Sequence, residues 1–512
     1  MRNDEVSATW RYHNGTKHSY QSVRSSRHVL DWANQPIPYK IYSSLQPILL
    51  PSDFPLSGVS ALDAIVGGRQ PPAGERLPDL ATLARLCFFS NGVTRRIRHA
   101  GGELAFRASA CTGALYHIEL YLACGDLPDL PAGLYHFGAH DNGLRRLRDG
   151  DFRRVLVEAT GAEPSIVAAP VVVICTSTYW RNAWKYQARA YRHSFWDSGV
   201  ILANLLAVAV AAELPARVVL GFADEQVNQL LDIDPQREAA ICLVALGRTA
   251  TPPPTAPSLS PLGLPTVPLS ATQVDYPAIW EMHAESSLAS GEEAAAWRGL
   301  MPYRPLPLAA SPLKPLEPLD AATLPGDSIE LVIRRRGSTR RFAREPISLE
   351  HLSTMLDRTI DGIPADCLGP SGQPLSDPYL IVSAVDGLAS GTYVLRPEDR
   401  AFEPLRTGGF RREAGWLALG QDLGADAAVN LYFLTDLDPL LARFGNRGYR
   451  AAQLTSAIAA GRVWLAAYAL GLGATGLTFF DDDVTAFFSP HAANNSVMFL
   501  LALGQSARLG IR

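Results

Sequence analysis

The sequence predicts an α+β protein made of two copies of one domain, packed as a pseudo-symmetric pair. Three observations point to this fold class. The chain has 512 residues, which is too long for one ordinary domain. Its two halves repeat one another, and a proline-rich stretch lies between them. Helix and strand patterns follow in the same order on both sides of that stretch.

The repeat keeps one offset of 258 residues. Gly133 falls on Gly391, and the apolar strand "PVVVICTS" (170–177) falls on "AVNLYFLT" (428–435). Further pairs keep the same offset: Tyr135 and Tyr393, Arg189 and Arg447, Tyr191 and Tyr449, Arg192 and Arg450. Runs that hold one offset over so long a stretch indicate a duplicated domain rather than chance.

Each half is predicted to contain the same elements. A helical start leads to a Gly/Ser-rich loop and a strand, at 116–123 in the first half and at 379–384 in the second. A tyrosine-bearing hairpin and the apolar strand come next. A long Ala/Leu helix follows, at about 195–213 and about 453–471, before a short closing strand. Apolar residues recur at i, i+3 and i+4 on more than one face, so these two helices are predicted to lie in the core.

Proline content divides the chain into segments. The predicted segments are an N-terminal leader at 1–55, a first domain at 56–250, a proline-rich linker at 251–326 and a second domain at 327–512. Of the 38 prolines, 15 lie between Pro252 and Pro325, which predicts an extended tether. A short helical insert on the surface is expected at about 276–300.

Composition limits the function classes. The chain is 47% hydrophobic and 19% charged, as in globular proteins, and its net charge of −4 argues against a nucleic-acid binder. It begins without an apolar signal region, and its longest apolar run is too short to span a bilayer, so no membrane association is expected. The six cysteines show no C-x-x-C spacing, which predicts no metal site and a reducing, cytoplasmic location.

The segment "RRRGSTRRF" (334–342) places five arginines in nine positions. Arg336, Ser338 and Arg340 alternate, and a guanidinium pair with a hydroxyl and free backbone amides makes a good phosphate cradle. A solvated basic turn is the alternative. Nucleic-acid binding is disfavoured, because no second basic stripe or interleaved aromatic residue accompanies the cluster.

Together with the following "PISLEHLSTML", this segment resembles the opening of flavin-dependent nitroreductase-fold proteins. The first half resembles the azoline-dehydrogenase (SagB-type) branch of that family, in "FRASACTGALYHIELYL" (106–122) and "WKYQARAYRHSFWDSG" (184–199). The N-terminal 12–42 resembles the leader found before such domains. The resemblance implies two nitroreductase-like domains that form an intramolecular pseudo-dimer, with FMN as the cofactor between them.

The resemblance also implies the cofactor-binding residues. Arg336, Ser338 and Arg340 would grip the FMN phosphate, and the first-half loop would flank the flavin through Ser109, Thr112, Gly113 and Ala114. Thr478 and Phe479 match the segment whose backbone faces flavin N5. Arg508 would complete the phosphate site, unless it is a solvated tail residue. The first half has only Arg69 in place of the arginine cluster, so one FMN per chain is expected.

Lys185 and Tyr186 are the catalytic candidates, because the branch uses a Lys-Tyr pair at this place. A tyrosine beside an ammonium group can have a lowered pKa and accept a proton from Cα. The alternative is an interfacial tyrosine with a lysine that only reaches solvent. Five other polar residues are expected to be structural: Arg189, Arg192, Cys111, His117 and His193.

The resemblance predicts an FMN-dependent oxidoreductase that oxidises a thiazoline- or oxazoline-like ring, or another Cα–Cβ bond, of a small or peptide-derived substrate. Other peptide-modifying enzymes are its expected partners. Two alternatives stay open: an NAD(P)H-dependent reductase of nitro compounds or quinones, and a flavin-free scaffold in a peptide-modifying complex.

Overall fold

The structure is a computed structural model that describes residues 2–66, 72–99, 102–299, 306–360 and 362–507. The strands in these ranges are β1 (Ile48–Leu49), β2 (Val93–His99), β3 (Gly102–Arg107), β4 (Ile118–Cys124), β5 (Gly133–Gly138), β6 (Gly143–Asp149), β7 (Val171–Thr178), β8 (Ala216–Val219), β9 (Glu238–Leu246), β10 (Lys314–Pro315), β11 (Ile347–Ser348), β12 (Asp377–Val382), β13 (Val385–Asp386), β14 (Gly391–Arg396), β15 (Ala401–Thr407), β16 (Val429–Asp436), β17 (Gly473–Gly476) and β18 (Asn495–Gly504).

The α-helices are α1 (Ser7–Gly15), α2 (Tyr20–Ser25), α3 (Ala61–Ala64), α4 (Leu80–Asn91), α5 (Arg153–Ala159), α6 (Pro164–Ala168), α7 (Tyr179–Tyr186), α8 (Ala190–Ala211), α9 (Asp224–Leu231), α10 (Pro277–Glu285), α11 (Gly291–Trp297), α12 (Ile329–Arg335), α13 (Leu349–Asp357), α14 (Arg411–Leu417), α15 (Asp422–Asp426), α16 (Leu437–Phe444), α17 (Asn446–Ala469) and α18 (Asp481–Phe488).

Each half is built on one seven-stranded antiparallel sheet. The strand order is β1-β6-β5-β4-β7-β9-β8 in the first half and β10-β15-β14-β12-β16-β18-β17 in the second. The equivalent strands β7 and β16 begin 258 residues apart, as do β5 and β14, and β6 and β15. The predicted class, α+β with two like domains, is confirmed by this matching order. β7 is a run rich in β-branched residues and is buried along its whole length, as a central strand covered on both faces should be.

Two long helices hold the halves together. α8 and α17 cross where small residues face each other: a Cβ built on Gly199 would lie 2.5 Å from Ala457 Cβ, and one on Gly461 would lie 2.7 Å from Ala203 Cβ. The glycines therefore let the two helix backbones approach closely. The stretch 179–211 is long and apolar enough to cross a membrane, but 89% of its most apolar window is buried, as in a core helix.

The linker is more structured than its prolines suggest. It forms α10 and α11, and β10 pairs with β15 of the second half. The insert expected on the surface is therefore two helices, and they bury Ile279, Met282 and Trp297. Each helix also has an exposed face, at Glu281 and at Glu292, so the insert lies at the surface with its apolar side packed against the core.

The leader helix α1 and the linker helix α10 occupy equivalent positions. They share a W-x-x-H-x-x-[ST] pattern, at Trp10, His13 and Thr16 and at Trp280, His283 and Ser286. His13 Nδ1 lies 3.2 Å from the Tyr449 hydroxyl, and His283 Nδ1 lies 3.3 Å from the equivalent Tyr191 hydroxyl. The duplication therefore extends to these helices, at an offset of 270 instead of 258.

Candidate active site

A cavity of about 880 Å³ lies between the two halves. Its wall includes these predicted site residues: Ser109, Thr112, Gly113, Ala114, Lys185, Tyr186, Arg336, Ser338, Arg340 and Thr478. Phe479 does not line it, and Arg69 and Arg508 lie outside the described residues. Residues that are far apart in the chain thus meet in one space, of a size that suits a small-molecule cofactor with its substrate.

The first-half loop is organised by Asp197 of α8. Its carboxylate accepts hydrogen bonds from Thr112 N (3.0 Å), Thr112 Oγ1 (2.8 Å), Cys111 Sγ (2.9 Å) and His117 Nε2 (2.9 Å). Burial and the nearby carboxylate raise the pKa of the Cys111 thiol, which keeps it a donor. Gly113 lies in the left-handed region with φ of 68°, and a Cβ there would meet the Tyr186 hydroxyl at 2.8 Å.

Asp197 was not predicted as a site residue from the sequence, although an acidic residue inside an apolar helix could have indicated a buried polar role. Cys111, His117 and Asp197 bring their ligand atoms within 4.8 Å of one another, which is a metal-like cluster. Cys111 and His117 each hydrogen-bond to Asp197, and His117 also contacts Ser177 Oγ at 2.9 Å. The expected structural role of His117 fits these contacts, whereas Cys111 is a hydrogen-bond donor and not only a packing residue.

Lys185 and Tyr186 end α7 at the cavity wall. Lys185 Nζ lies 5.4 Å from the centroid of the Tyr186 ring, and the His193 ring packs edge-on against that ring at 4.7 Å. Burial raises the pKa of Tyr186, and Cys111 and Asp197 raise it further. The expected lowering is therefore wrong for this structure, because desolvation disfavours the phenolate and the lysine lies over the ring face. Tyr186 is a phenol at neutral pH.

The arginine-rich loop follows α12, which Ser328 caps. The Arg336 guanidinium donates to Ala108 O of the other half, from Nε at 3.1 Å and from Nη2 at 2.9 Å, and it lies over the Trp464 ring. Burial lowers the pKa of Arg336 to about 10, so it stays charged at neutral pH. Arg336 thus joins the two halves as well as lining the cavity. Within the described ranges, the side chains of Ser338 and Arg340 have no hydrogen-bond or ion-pair partner.

The second-half segment after β17 offers unused donors. Thr478 Oγ1 is buried without a partner. Among the described residues, the backbone N–H groups of Thr478 and Phe479 also donate to no acceptor, although Leu477 N donates to Leu500 O at 3.1 Å. The Phe479 side chain packs on Trp196 and beneath Arg189, in the core. Thr478 is therefore the better placed of the two for a cavity ligand.

The pseudo-symmetric counterpart of this segment, at the other interface between the halves, is occupied by an acidic side chain. Asp366 accepts hydrogen bonds from Leu220 N (2.9 Å) and Gly221 N (2.8 Å). These two residues are the counterparts of Leu477 and Thr478, because β8 and β17 begin 257 residues apart. Val218, at the end of the edge strand β8, is also bridged to Ala365. The Asp366 carboxylate thus binds the Gly221 N–H, whereas the N–H of its counterpart Thr478 has no acceptor among the described residues.

The match to the nitroreductase family covers residues 135–248 and 333–504, more than half of the chain. The chain belongs to the nitroreductase family. A crystal structure from Anabaena variabilis, described under the name nitroreductase, is 28% identical and covers 98% of this chain and 99% of that chain, with a TM-score of 0.78. A Methanocaldococcus jannaschii protein, also named as a nitroreductase, is 25% identical over 169 residues, 33% of this chain and 80% of that protein.

Family membership makes the chain a nitroreductase-family oxidoreductase, and members of this family generally bind flavin as FMN. The cavity suits such a group on its own chemistry. It offers a buried unpaired hydroxyl at Thr478, an unpaired guanidinium at Arg340 and a glycine that keeps the wall beside Tyr186 free of a side chain.

Proposed function

We propose that the chain is an FMN-dependent oxidoreductase that oxidises a thiazoline- or oxazoline-like ring, or another Cα–Cβ bond, of a peptide-derived substrate. The observation that carries the proposal is that Lys185 and Tyr186 of the first half line the same cavity as the arginine-rich loop of the second half. The proposed proton-transfer groups and the proposed phosphate cradle therefore face one space. A substrate delivered by other peptide-modifying enzymes would enter the same space.

Specific residues would hold FMN in this cavity. Ser338 and Arg340 have free donors for the phosphate, and Arg336 adds positive charge beside them. The loop at 109–114 would flank the ring system, and Thr478 would donate through its backbone N–H and its Oγ1. When bound, FMN supplies a hydride acceptor for the Cβ hydrogen. In the sequence, the first half has only Arg69 in place of the arginine cluster, so we propose one FMN per chain.

The chain itself must remove the Cα proton. Tyr186 lies at the cavity wall, and Lys185 holds a positive charge over its ring. In the proposed reaction the Tyr186 oxygen accepts this proton as phenolate. Because burial raises the Tyr186 pKa, the phenolate is a minor form at neutral pH and increases about tenfold with each pH unit. The proposed oxidation should therefore become faster as the pH rises.

The same raised pKa favours a second candidate, an NAD(P)H-dependent reductase of nitro compounds or quinones. A reductase has to give a proton to its substrate, and a phenol with a raised pKa carries that proton at neutral pH. Tyr186 would then be the acid, and the reduction rate would stay level with pH until the phenol ionises.

Anaerobic mixing of the purified protein with two reductants tests the proposal. A peptide with a single thiazoline should bleach the absorbance of the oxidised flavin and leave a thiazole, whereas NADPH should not. Bleaching by NADPH alone would replace the proposal with the reductase. A colourless protein that cannot be loaded with added FMN would support the scaffold alternative.

A further inference from the structure

The leader residue His18 brings an imidazole to the cavity wall. Within the described ranges its ring nitrogens have no hydrogen-bond partner. The other histidines near the site are engaged: the His193 ring contacts Asn182 Oδ1 at 2.6 Å, and the His117 ring bonds to both Ser177 and Asp197. His18 therefore differs from its neighbours in presenting unused hydrogen-bonding groups to a ligand space.

The backbone of His18 is fixed by Asp481. His18 N donates to Asp481 Oδ2 at 2.8 Å, and Asp481 N donates to His18 O at 3.1 Å. Asp481 is in turn paired with Arg189 at 2.9 Å and with Arg192 at 2.6 Å. This buried cluster holds the leader in place without using the imidazole.

The duplication supplies an internal comparison. The residue equivalent to His18 in the linker is Leu288, whose N donates to Asp224 Oδ2 at 3.0 Å. Asp224 N donates back to Leu288 O at 3.2 Å, and Asp224 is paired with Arg447 and Arg450 at 2.6 and 2.7 Å. The backbone hydrogen bonds are the same at both positions. A leucine therefore satisfies the structural requirement of this position, and an imidazole is not needed for it.

The two positions differ in what their side chains face. Leu288 is 1% exposed and packs in the core, at the interface where Asp366 occupies the equivalent site. His18 is half-buried and borders the open cavity together with Lys185 and Tyr186. The imidazole of His18 is thus accessible to a ligand in the cavity, whereas the buried side chain of Leu288 is not.

From this pairing we infer that His18 is a substrate-contacting residue of the proposed site, whose imidazole hydrogen-bonds to an uncharged amide or carbonyl group beside the reacting bond. The inference deepens the proposed function and rests on it. Burial and the nearby Arg189 lower the pKa of His18 to about 3, so the ring is uncharged at neutral pH and offers one donor and one acceptor. Such a group suits a peptide amide better than a free carboxylate.

The variants His18→Leu, which copies the linker residue, and His18→Asn, which keeps hydrogen-bonding groups, test the inference. The bound flavin of His18→Leu should be reduced by a thiazoline peptide about tenfold more slowly at subsaturating peptide, the cost of one lost hydrogen bond. His18→Asn should recover part of that loss. FMN content and thermal unfolding should match the wild type in both variants, because the ring has no hydrogen-bond partner among the described residues. Leu288→Met is the matched control and should reduce at the wild-type rate.

Two results would overturn the inference. One is a His18→Leu protein with unchanged reduction kinetics; the other is a His18→Leu protein that loses FMN or unfolds at lower temperature, which would make His18 structural. The proposed function is judged separately, on the wild type. If the peptide fails to reduce wild-type flavin but NADPH succeeds, the proposed function falls, and His18→Leu is then compared with wild type using NADPH.

Discussion

Replacing Asp197 by asparagine tests whether one carboxylate organises the cavity. Asp197 Oδ2 accepts from Cys111 Sγ and His117 Nε2 at 2.9 Å each, and Thr112 adds its N–H and hydroxyl. In Asp197→Asn one carboxylate oxygen becomes an NH₂ group. This hydrogen-bond donor then faces the Cys111 thiol and the His117 N–H, which are donors as well. The oxygen that remains can still serve Thr112.

The expected loss follows from these contacts. A hydrogen bond to a charged group contributes about 1.5–3 kcal/mol. Two such bonds are lost or weakened, and His117 can recover part by changing tautomer, so we expect the free energy of unfolding to fall by about 3 kcal/mol. Because the loop at 109–114 lines the cavity, FMN binding should also weaken, by about tenfold.

Chemical denaturation and fluorescence titration of the FMN-free protein with FMN measure the two effects. The matched control is Thr455→Val, at the equivalent position of α17, where Thr455 Oγ1 accepts from Leu375 N at 3.3 Å and donates to Ala451 O at 2.9 Å. This control should bind FMN as the wild type does. Wild-type stability and FMN affinity in Asp197→Asn would show that the loop holds its shape without the carboxylate.

Three further predictions concern the flavin and its chemistry. Arg340→Ala should weaken FMN binding by about 1.5–3 kcal/mol in a titration, and Arg336→Ala should do so and also lower the unfolding temperature, because Arg336 joins the halves through Ala108 O; full FMN loading of both variants would mean that the loop binds something else. Flavin released from the protein should amount to one FMN per chain, and Asp366→Ala should not add a second, since it frees Gly221 N without supplying a phosphate cradle; a ratio near two would contradict this. Tyr186→Phe should keep its FMN but slow flavin reduction by the thiazoline peptide about 10²–10⁴-fold, and the wild-type rate should rise with pH below the raised Tyr186 pKa; a rate that stays level between neutral and mildly alkaline pH would indicate an acid instead of a base.

Much of the fold could be predicted, because the duplication is visible in short local runs. β7 and β16 are buried apolar strands in equivalent places, and their spacing, together with the other repeated pairs, predicted two like domains. The long helices were predicted correctly, although α8 and α17 begin about five and seven residues earlier than expected. Their first turns carry buried arginines, at Arg192 and Arg447, and such polar residues obscure a helix that is recognised by its apolar pattern.

The features of the site that the sequence did not reveal depend on contacts between distant residues. Asp197 meets Thr112 across 85 positions, and Arg336 meets Ala108 across 228. Nothing in the sequence indicates that the two residues of either pair are in contact. The equivalence of His18 and Leu288 was hidden for another reason, since it follows an offset of 270 and a comparison at 258 passes over it. The Tyr186 pKa depends on burial, which residue spacing does not report.

The covalent duplication explains how the two interfaces can differ. In a dimer of identical chains, one substitution changes both symmetric sites, so neither can be lost without the other. In this chain each position has its own codon, so equivalent positions can carry different residues. The pairs that differ include Ala108 and Asp366, Tyr186 and Phe444, and His18 and Leu288. At the first member of each pair the interface stays open around a cavity. At the second, Asp366 satisfies the backbone donors and Leu288 fills the space, so that interface gains the hydrogen bonds and packing that an open site gives up. One interface thereby serves stability, which leaves the other interface free to keep unsatisfied donors for a ligand.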